Sequence, residues 1–378
     1  MAQEARRNRL VVLTGDGVGP ELTREMLRVV GWFAAHRGFD CEIIDEPYGV
    51  PAYRSHGRMI REEVLAELPK ADAVVLGALG SARDYAGIPP EVRKQGTALK
   101  LRQQLDAVVN LRPVKASPHL DDVSPLKPEI VRNADLLFVR ELTAGLYIDG
   151  PRGIEIGADG ARRAVNTQVF TSTQIRRGAG IAFDIARQRG RRVTSVDKAN
   201  VLESGILWRE EVQALRDASY PDCGLDHIFV DTCATELVRA PTQFEILLTD
   251  NMFGDILSDC AMMIAASPGM LPSASVGERL PDGRRKGFYE PLHGSAPELV
   301  GRGEANPLGT ILSFAMALDL SFGRPEDAAL LERAVDLVLA RGNRTPDIAG
   351  PGAATISTAE MTAAVLDALA TLSETPAT

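Results

Sequence analysis

The stretch NMFGDILSD, residues 251–259, sets two carboxylates, Asp255 and Asp259, four residues apart below a glycine. On a helix, like charges at that spacing face each other and repel. No basic residue lies in the segment, so the pair calls for a cation, and oxygen-only ligands select magnesium or manganese over zinc. A solvated acidic face is the competing reading. Against it stand Met252, Phe253, Ile256, Leu257, Met262, Met263 and Ile264, which make the segment apolar enough to be largely buried, where carboxylates need partners.

Three arginines could supply the other half of a site. Arg102 lies on a short helix over residues 96–105, Arg112 just precedes Pro113, and Arg140 ends the apolar run LLFV in the phrase VRELTAGLY, which also carries Tyr147. Singly, each reads as a surface or structural residue. Together, three guanidinium forks would suit a substrate with two or more carboxylates. Lys198 follows the strand RRVTSV; beside a metal and arginines its ammonium form is disfavoured, so it could act as a base, and otherwise it is a surface charge. His293, Glu298 and Asn306 fall in a long irregular stretch near the C-terminal third, of a length that is usually functional inside a compact domain, although a lone histidine is more often structural.

The elements that must position these residues alternate. LVVLT (residues 10–14) is a buried strand, and GDGVGPE then turns into a helix with Pro20 near its start. Gly15, Gly17 and Gly19 resemble a phosphate-binding loop, but the spacing is not G-x-G-x-x-G. Strands at residues 41–44 and 73–76 flank a helix over 58–68, and the second runs into the glycine-rich loop GALGS. A capped helix spans 171–189, HIFV leads as a strand to Asp231, and EILLT leads to the acidic stretch. Helices over 307–320, 325–340 and 358–372 close the chain. Strands that each end in a polar residue predict one active site along a sheet's carboxyl edge.

Bulk properties narrow the function classes. The 378 residues suit two domains, and 45% hydrophobic with 25% charged residues is the composition of a globular protein. A net charge of −9 carries no footprint for nucleic acid or an anionic membrane, so an anionic substrate must be drawn in by local arginines. Cys41, Cys223, Cys233 and Cys260 form no Cys-x-x-Cys pair, as expected of reduced thiols. With no signal-like start and no long apolar span, the chain reads as cytoplasmic and unanchored.

The segments GDGVGPE, LRQQLDAVVNLRPVK, VRELTAGLY, TSVDKANVLESGILWRE, NMFGDILSD, GMLPSAS and EPLHGSAPELVGRGEANP occur in this order and cover nearly the whole chain. Together they resemble the metal-dependent β-decarboxylating dehydrogenases, the isopropylmalate and isocitrate dehydrogenase family. The resemblance implies a two-domain α/β fold of layered sheets and helices, distinct from the classical Rossmann fold. It places a larger cofactor-binding domain at residues 1–108 and 266–378, and a central domain at 109–265 that also makes a homodimer. It further implies that Arg102, Arg112 and Arg140 grip the malate carboxylates. Asp231, Asp255 and Asp259 would bind the divalent metal, Mg2+ or Mn2+, with Asp231 and the base Lys198 crossing from the other subunit. Asp231 would also lie against substrate, and Tyr147 would be the acid. NAD would be bound by Gly77, Gly80, Ser81, Glu290, His293, Gly294, Ser295, Ala296, Glu298 and Asn306.

Glu298 stands where NAD-using members carry an acid that accepts from the ribose hydroxyls. A carboxylate about 4 Å from a 2′-phosphate costs roughly 4 kcal/mol at an effective dielectric near 20, which favours NAD over NADP. The substrate loop departs from the family. Isopropylmalate enzymes show Glu-x-x-Leu-Leu before the first arginine, whereas this chain has Gln95, Gly96, Thr97, Ala98 and Leu99, a local pattern closer to tartrate and D-malate dehydrogenases. Ala98 and Leu99 are the candidate contacts to the substituent. The resemblance ranks 3-isopropylmalate, an intermediate of leucine biosynthesis, first, another 3-alkylmalate second, and tartrate or D-malate third. A non-catalytic regulatory subunit would have lost the lysine, the tyrosine or a metal carboxylate, and none is lost here.

Overall fold

The apolar runs at residues 10–13 and 73–76 have no exposed surface at all. Strands apolar on both faces belong inside a covered parallel sheet. The computed structural model describes residues 7–81, 83–148 and 150–374. Its strands are β1 (Asn8–Leu13), β2 (Cys41–Glu46), β3 (Ala73–Leu76), β4 (Val109–Lys115), β5 (Asp135–Glu141) and β6 (Arg152–Ile156), then β7 (Arg162–Asn166), β8 (Val193–Asp197), β9 (Leu225–Phe229), β10 (Ile246–Thr249), β11 (Pro272–Val276) and β12 (Gly287–Pro291). The helices are α1 (Gly19–Arg37), α2 (Val50–His56), α3 (Glu62–Glu67), α4 (Pro90–Arg93), α5 (Ala98–Gln104), α6 (Pro128–Val131) and α7 (Ser172–Arg189). They continue with α8 (Glu203–Ser219), α9 (Val230–Arg239), α10 (Asn251–Ala261), α11 (Leu308–Leu320), α12 (Pro325–Ala340) and α13 (Thr358–Glu374).

The chain divides into two compact units. The first comprises Met1–Ala107, Ser117–Pro128 and Ala265–Thr378, and the second Val108–Ala116 and Glu129–Ile264. In the first unit β1 pairs in parallel with β2 and β3, β12 runs parallel to β3, and β11 is antiparallel to β12. Phe33 of α1 and Phe314 of α11 meet edge to face, as do Phe39 and Phe322, and these buried rings anchor helices over the sheet. The excursion 117–128 joins this unit because Arg344 donates to the His119 carbonyl and His119 Nε2 lies 3.5 Å from Asp336. A central segment running unbroken from 109 to 265 is therefore interrupted there.

In the second unit β5, β10, β8 and β9 run parallel, with β4 antiparallel beside β5. Parallel direction brings four carboxyl ends to one edge, which carries Arg140 and Glu141, Asp250 and Asn251, Asp197 and Lys198, and the start of α9. The strand read from HIFV stops at Phe229, so Asp231 sits in the first turn of α9 and not at a strand end. The predicted cap at Thr171 is a capping box, with Gln174 N donating to Thr171 at 3.3 Å and Thr171 N to Gln174 at 3.1 Å. The helix expected over 58–68 is shorter, confined to α3 before a single 3-10 turn. The β6–β7 hairpin stands in solvent along almost its whole length.

Helix α10 begins with the Asp250 carboxylate accepting from Phe253 N at 2.6 Å. It then approaches β5 and β10 so closely that a Cβ on Gly254 would lie 2.2 Å from Thr249 Oγ1 and 2.8 Å from Arg140 Cγ. At the end of β5, Glu141 is fully buried, accepting from Thr143 N at 2.7 Å and Ala144 N at 3.1 Å. Burial pushes its carboxyl pKa up to about 7, against the pull of those donors.

Two outcomes follow. Gly254→Ala should destabilise by about 1–3 kcal/mol in urea unfolding through overpacking, and an unchanged midpoint would show that α10 can move away from β5. For Glu141 the fold favours the protonated form, so its contribution is complete below the ordinary carboxyl value and is lost as pH rises through about 7. Urea titrations between pH 5 and pH 8 should contain a component on the order of 3 kcal/mol that falls with pH and is missing from Glu141→Gln.

Candidate active site

Arg112 and Asn110 lie two residues apart on β4 and so face the same way. Asn110 Oδ1 accepts from Arg112 Nε at 2.7 Å, which aims the rest of the guanidinium at α10. There Nη1 donates to Ser258 Oγ at 2.7 Å and Asp259 Oδ1 at 2.9 Å, and Nη2 to Asp255 Oδ1 at 3.1 Å. Arg140, from β5, comes from the other side. Its Nε and Nη2 donate to Asn251 Oδ1 at 3.0 and 2.7 Å, its Nε also to the Asn251 carbonyl at 2.8 Å, and its Nη1 to Asp255 Oδ1 at 2.6 Å. Both guanidiniums are buried, whereas the Asp255 and Asp259 side chains remain 33% and 57% exposed and so open to a ligand.

The acidic pair expected to need a cation therefore meets two arginines from neighbouring strands. The helix is half-buried and not largely so: Leu257 and Ala261 face inward while Ile256 is 55% exposed. Partial burial raises the Asp259 pKa, with Arg112 opposing. The Tyr147 hydroxyl donates to Asp255 Oδ2 at 3.3 Å, and its ring lies 5.9 Å from the Arg140 guanidinium carbon. Burial first, and Asp255 second, push the phenol pKa up.

Lys198 and Asp231 form a separate pair on the same edge. Lys198 Nζ donates to Asp231 Oδ1 at 2.6 Å, and that bond holds the carboxyl below its ordinary range. Among the described residues no three His, Cys, Asp or Glu side chains gather as a metal-binding group, so within one chain Asp231 does not join Asp255 and Asp259. The donor set itself is all oxygen and fits a hard divalent cation, with two carboxylates one helical turn apart.

The remaining expected residues lie in the first unit. Arg102 is ion-paired with Glu290, a residue predicted only for the cofactor, and its guanidinium carbon lies 5.9 Å from the Phe288 ring. Ala98 and Leu99 are half-buried in the first turn of α5, whose cap is Thr97. The preceding Gly96 packs on Met59, where a Cβ would come to 2.5 Å, and its carbonyl accepts from Tyr48. Gly77 and Ser295 are buried, Gly80 and Ala296 half-buried, and Ser81, Gly294 and Glu298 exposed. Ala296 adopts a left-handed backbone, φ 39°. His293 Nδ1 lies 3.0 Å from the Gly294 carbonyl, and burial lowers the ring's pKa, which keeps it neutral near pH 7. Asn306 is committed to the fold: its Oδ1 accepts from Leu308 N at 3.0 Å and its Nδ2 donates to Asp347 at 3.1 Å.

Asn110, Asn251 and Ser258 were missed in the sequence. A usable signal existed for two of them: Asn110 shares a strand face with Arg112, and Ser258 lies three residues after Asp255 on one helix face.

The family model described as isocitrate/isopropylmalate dehydrogenase matches residues 9–365. The chain is 50% identical over 360 residues to 3-isopropylmalate dehydrogenase 1 of Bradyrhizobium diazoefficiens, covering 95% of each chain. It is 51% identical over 369 residues to 3-isopropylmalate dehydrogenase 1 of Bordetella bronchiseptica, covering 97% of this chain and 99% of that one. The crystal structure of isocitrate dehydrogenase from Methylococcus capsulatus superimposes with a TM-score of 0.82 at 29% identity, covering 96% of this chain and 99% of that one. With a family model spanning nearly the whole sequence and relatives half identical from end to end, the chain belongs to the isocitrate/isopropylmalate dehydrogenase family.

Proposed function

We propose that the protein catalyses the NAD-dependent, divalent-metal-dependent oxidation and decarboxylation of (2R,3S)-3-isopropylmalate to 4-methyl-2-oxopentanoate, a step of leucine biosynthesis. The observation that carries this reading is the convergence of Arg112, Arg140 and Tyr147 on Asp255, in a chain half identical to enzymes named for that substrate. When bound, the cation supplies positive charge to the hydroxyl and carboxylate oxygens of the malate, and NAD supplies the acceptor for the hydride at C2. Asp255 and Asp259, with Asp231 of a second copy, would hold the cation.

The protein's own groups account for the rest. Arg112 and Arg140 neutralise the carboxylates and orient them by forked hydrogen bonds. Lys198 of a second copy takes the hydroxyl proton as C2 is oxidised. When the bond from C3 to its carboxylate breaks, carbon dioxide leaves and the electron pair stays on C3, which takes its proton from Tyr147. A phenol holds its proton at neutral pH, so Tyr147 is available as the donor.

A homodimer is part of this reading. Val201, Ile206, Val238 and Ile256 are 68%, 39%, 58% and 55% exposed on the unit that bears Lys198 and Asp231, apolar side chains that a second copy would cover. Ala98 and Leu99 offer an apolar contact to the alkyl group, with less bulk than two leucines. Glu298, which is exposed, would discriminate against a 2′-phosphate by charge repulsion. No helix among the described residues is long and apolar enough to cross a membrane.

Lys198→Ala and Tyr147→Phe should each lower kcat by about 10²–10⁴ in steady-state assays with 3-isopropylmalate, and near wild-type turnover by either would remove its role. A panel of 3-isopropylmalate, longer alkylmalates, isocitrate, tartrate and D-malate, read by cofactor reduction with magnesium or manganese, should rank 3-isopropylmalate first. In the same assay NAD should exceed NADP in kcat/KM by more than about tenfold. Failure on every substrate would point to a regulatory subunit, and preference for NADP would remove Glu298 from cofactor choice.

A further inference from the structure

The glycine-rich turn after β1 looks like a phosphate cradle, yet an internal anion fills the space beside it. Asp16 is 2% exposed. Its Oδ1 accepts from Val50 N at 2.6 Å, and its Oδ2 from Gly80 N at 2.9 Å and from the Tyr85 hydroxyl at 2.8 Å. A Cβ on Gly49 would lie 2.4 Å from Oδ1 and one on Gly80 2.8 Å from Oδ2, so the carboxylate occupies the volume those two positions leave bare. These donors are neutral, and a buried carboxylate held only by neutral donors is a costly choice for the fold alone. Burial raises its pKa while the three donors oppose the shift. An asparagine would turn an NH2 group toward one of those donors, so acceptor-only chemistry is required.

A second carboxylate closes the ring. Asp84 accepts from Ser81 N at 2.6 Å, Ser81 Oγ at 2.9 Å and Ser295 Oγ at 2.8 Å, and the Ser295 carbonyl accepts from Val18 N at 2.9 Å. Gly80, Ser81 and Ser295, all proposed to meet the cofactor, are thus tied to the turn at residues 15–19 through Asp16 and Asp84. We propose that Asp16 is the positioning residue that presets the loop at residues 77–81 for the dinucleotide, its carboxylate directing the Gly80 N–H inward instead of toward a phosphate. This rests on the NAD-dependent reading above. Asp16 acts through the loop and takes no part in the malate chemistry.

The test compares Asp16→Asn and Tyr85→Phe with the wild-type protein, using NADH fluorescence titration without malate, KM for NAD and for malate, and thermal unfolding. Asp16→Asn should weaken NADH binding by about tenfold while KM for malate stays within about twofold. Tyr85→Phe, which leaves the bond from Gly80 N to Asp16, should weaken it by about threefold. Unchanged NADH affinity with a lowered melting temperature would reduce Asp16 to a structural role, and an equal rise in both KM values would also overturn the proposal. Should Asp16→Asn not fold, unchanged NADH affinity in Tyr85→Phe overturns it. A wild-type protein that binds no NADH would instead sink the dinucleotide reading itself, and this proposal with it.

Discussion

Two guanidiniums share one oxygen, Oδ1 of Asp255, and the second unit is arranged around that contact. Arg112 and Arg140 bring two positive charges to Asp255 and Asp259, which bring two negative ones. The cluster is neutral before any ligand arrives, which is why it can sit at a partly dehydrated sheet edge. A divalent cation and a doubly ionised malate add equal and opposite charge, so in the proposed complex neutrality is kept. Each component can move into low dielectric with little electrostatic imbalance, and the forks then supply direction.

Geometry at this contact depends on a glycine and an asparagine. Gly254 lets α10 lie against Thr249 and the stem of Arg140, which sets Asp255 at hydrogen-bond distance from two strands at once. Asn251 holds three of the Arg140 bonds from the first turn of the same helix. The helix thus carries its acids and the clamp for their arginine on one rigid piece.

Much of this was legible in the chain. The acids, the arginines, Tyr147 and Lys198 are residue types whose chemistry announces itself, and the buried strands β1, β3 and β10 are built on the apolar runs LVVL, AVVL and ILL. The unreadable parts have physical causes. Asp231 was misplaced because an apolar run passes from β9 into α9 without a break in composition. The excursion 117–128 carries no pattern of its own and is placed by contacts from residues 336 and 344, more than two hundred positions away. The pairing of Arg102 with Glu290 spans 188 positions and leaves no local trace. Asp16 read as a turn residue between glycines, since nothing nearby in sequence reveals that Gly80 and Tyr85 return to it.

The β6–β7 hairpin has a consequence for how the protein behaves on dilution. Ile154 and Ile156 are 63% and 73% exposed, and a two-stranded ribbon with no buried face is marginal alone. In the proposed homodimer its order would come from the second copy, by mass action. Its persistence would then track protein concentration, the ribbon loosening first as subunits separate, so that resistance to proteolysis near the turn at residues 157–161 would report how much of the population is associated.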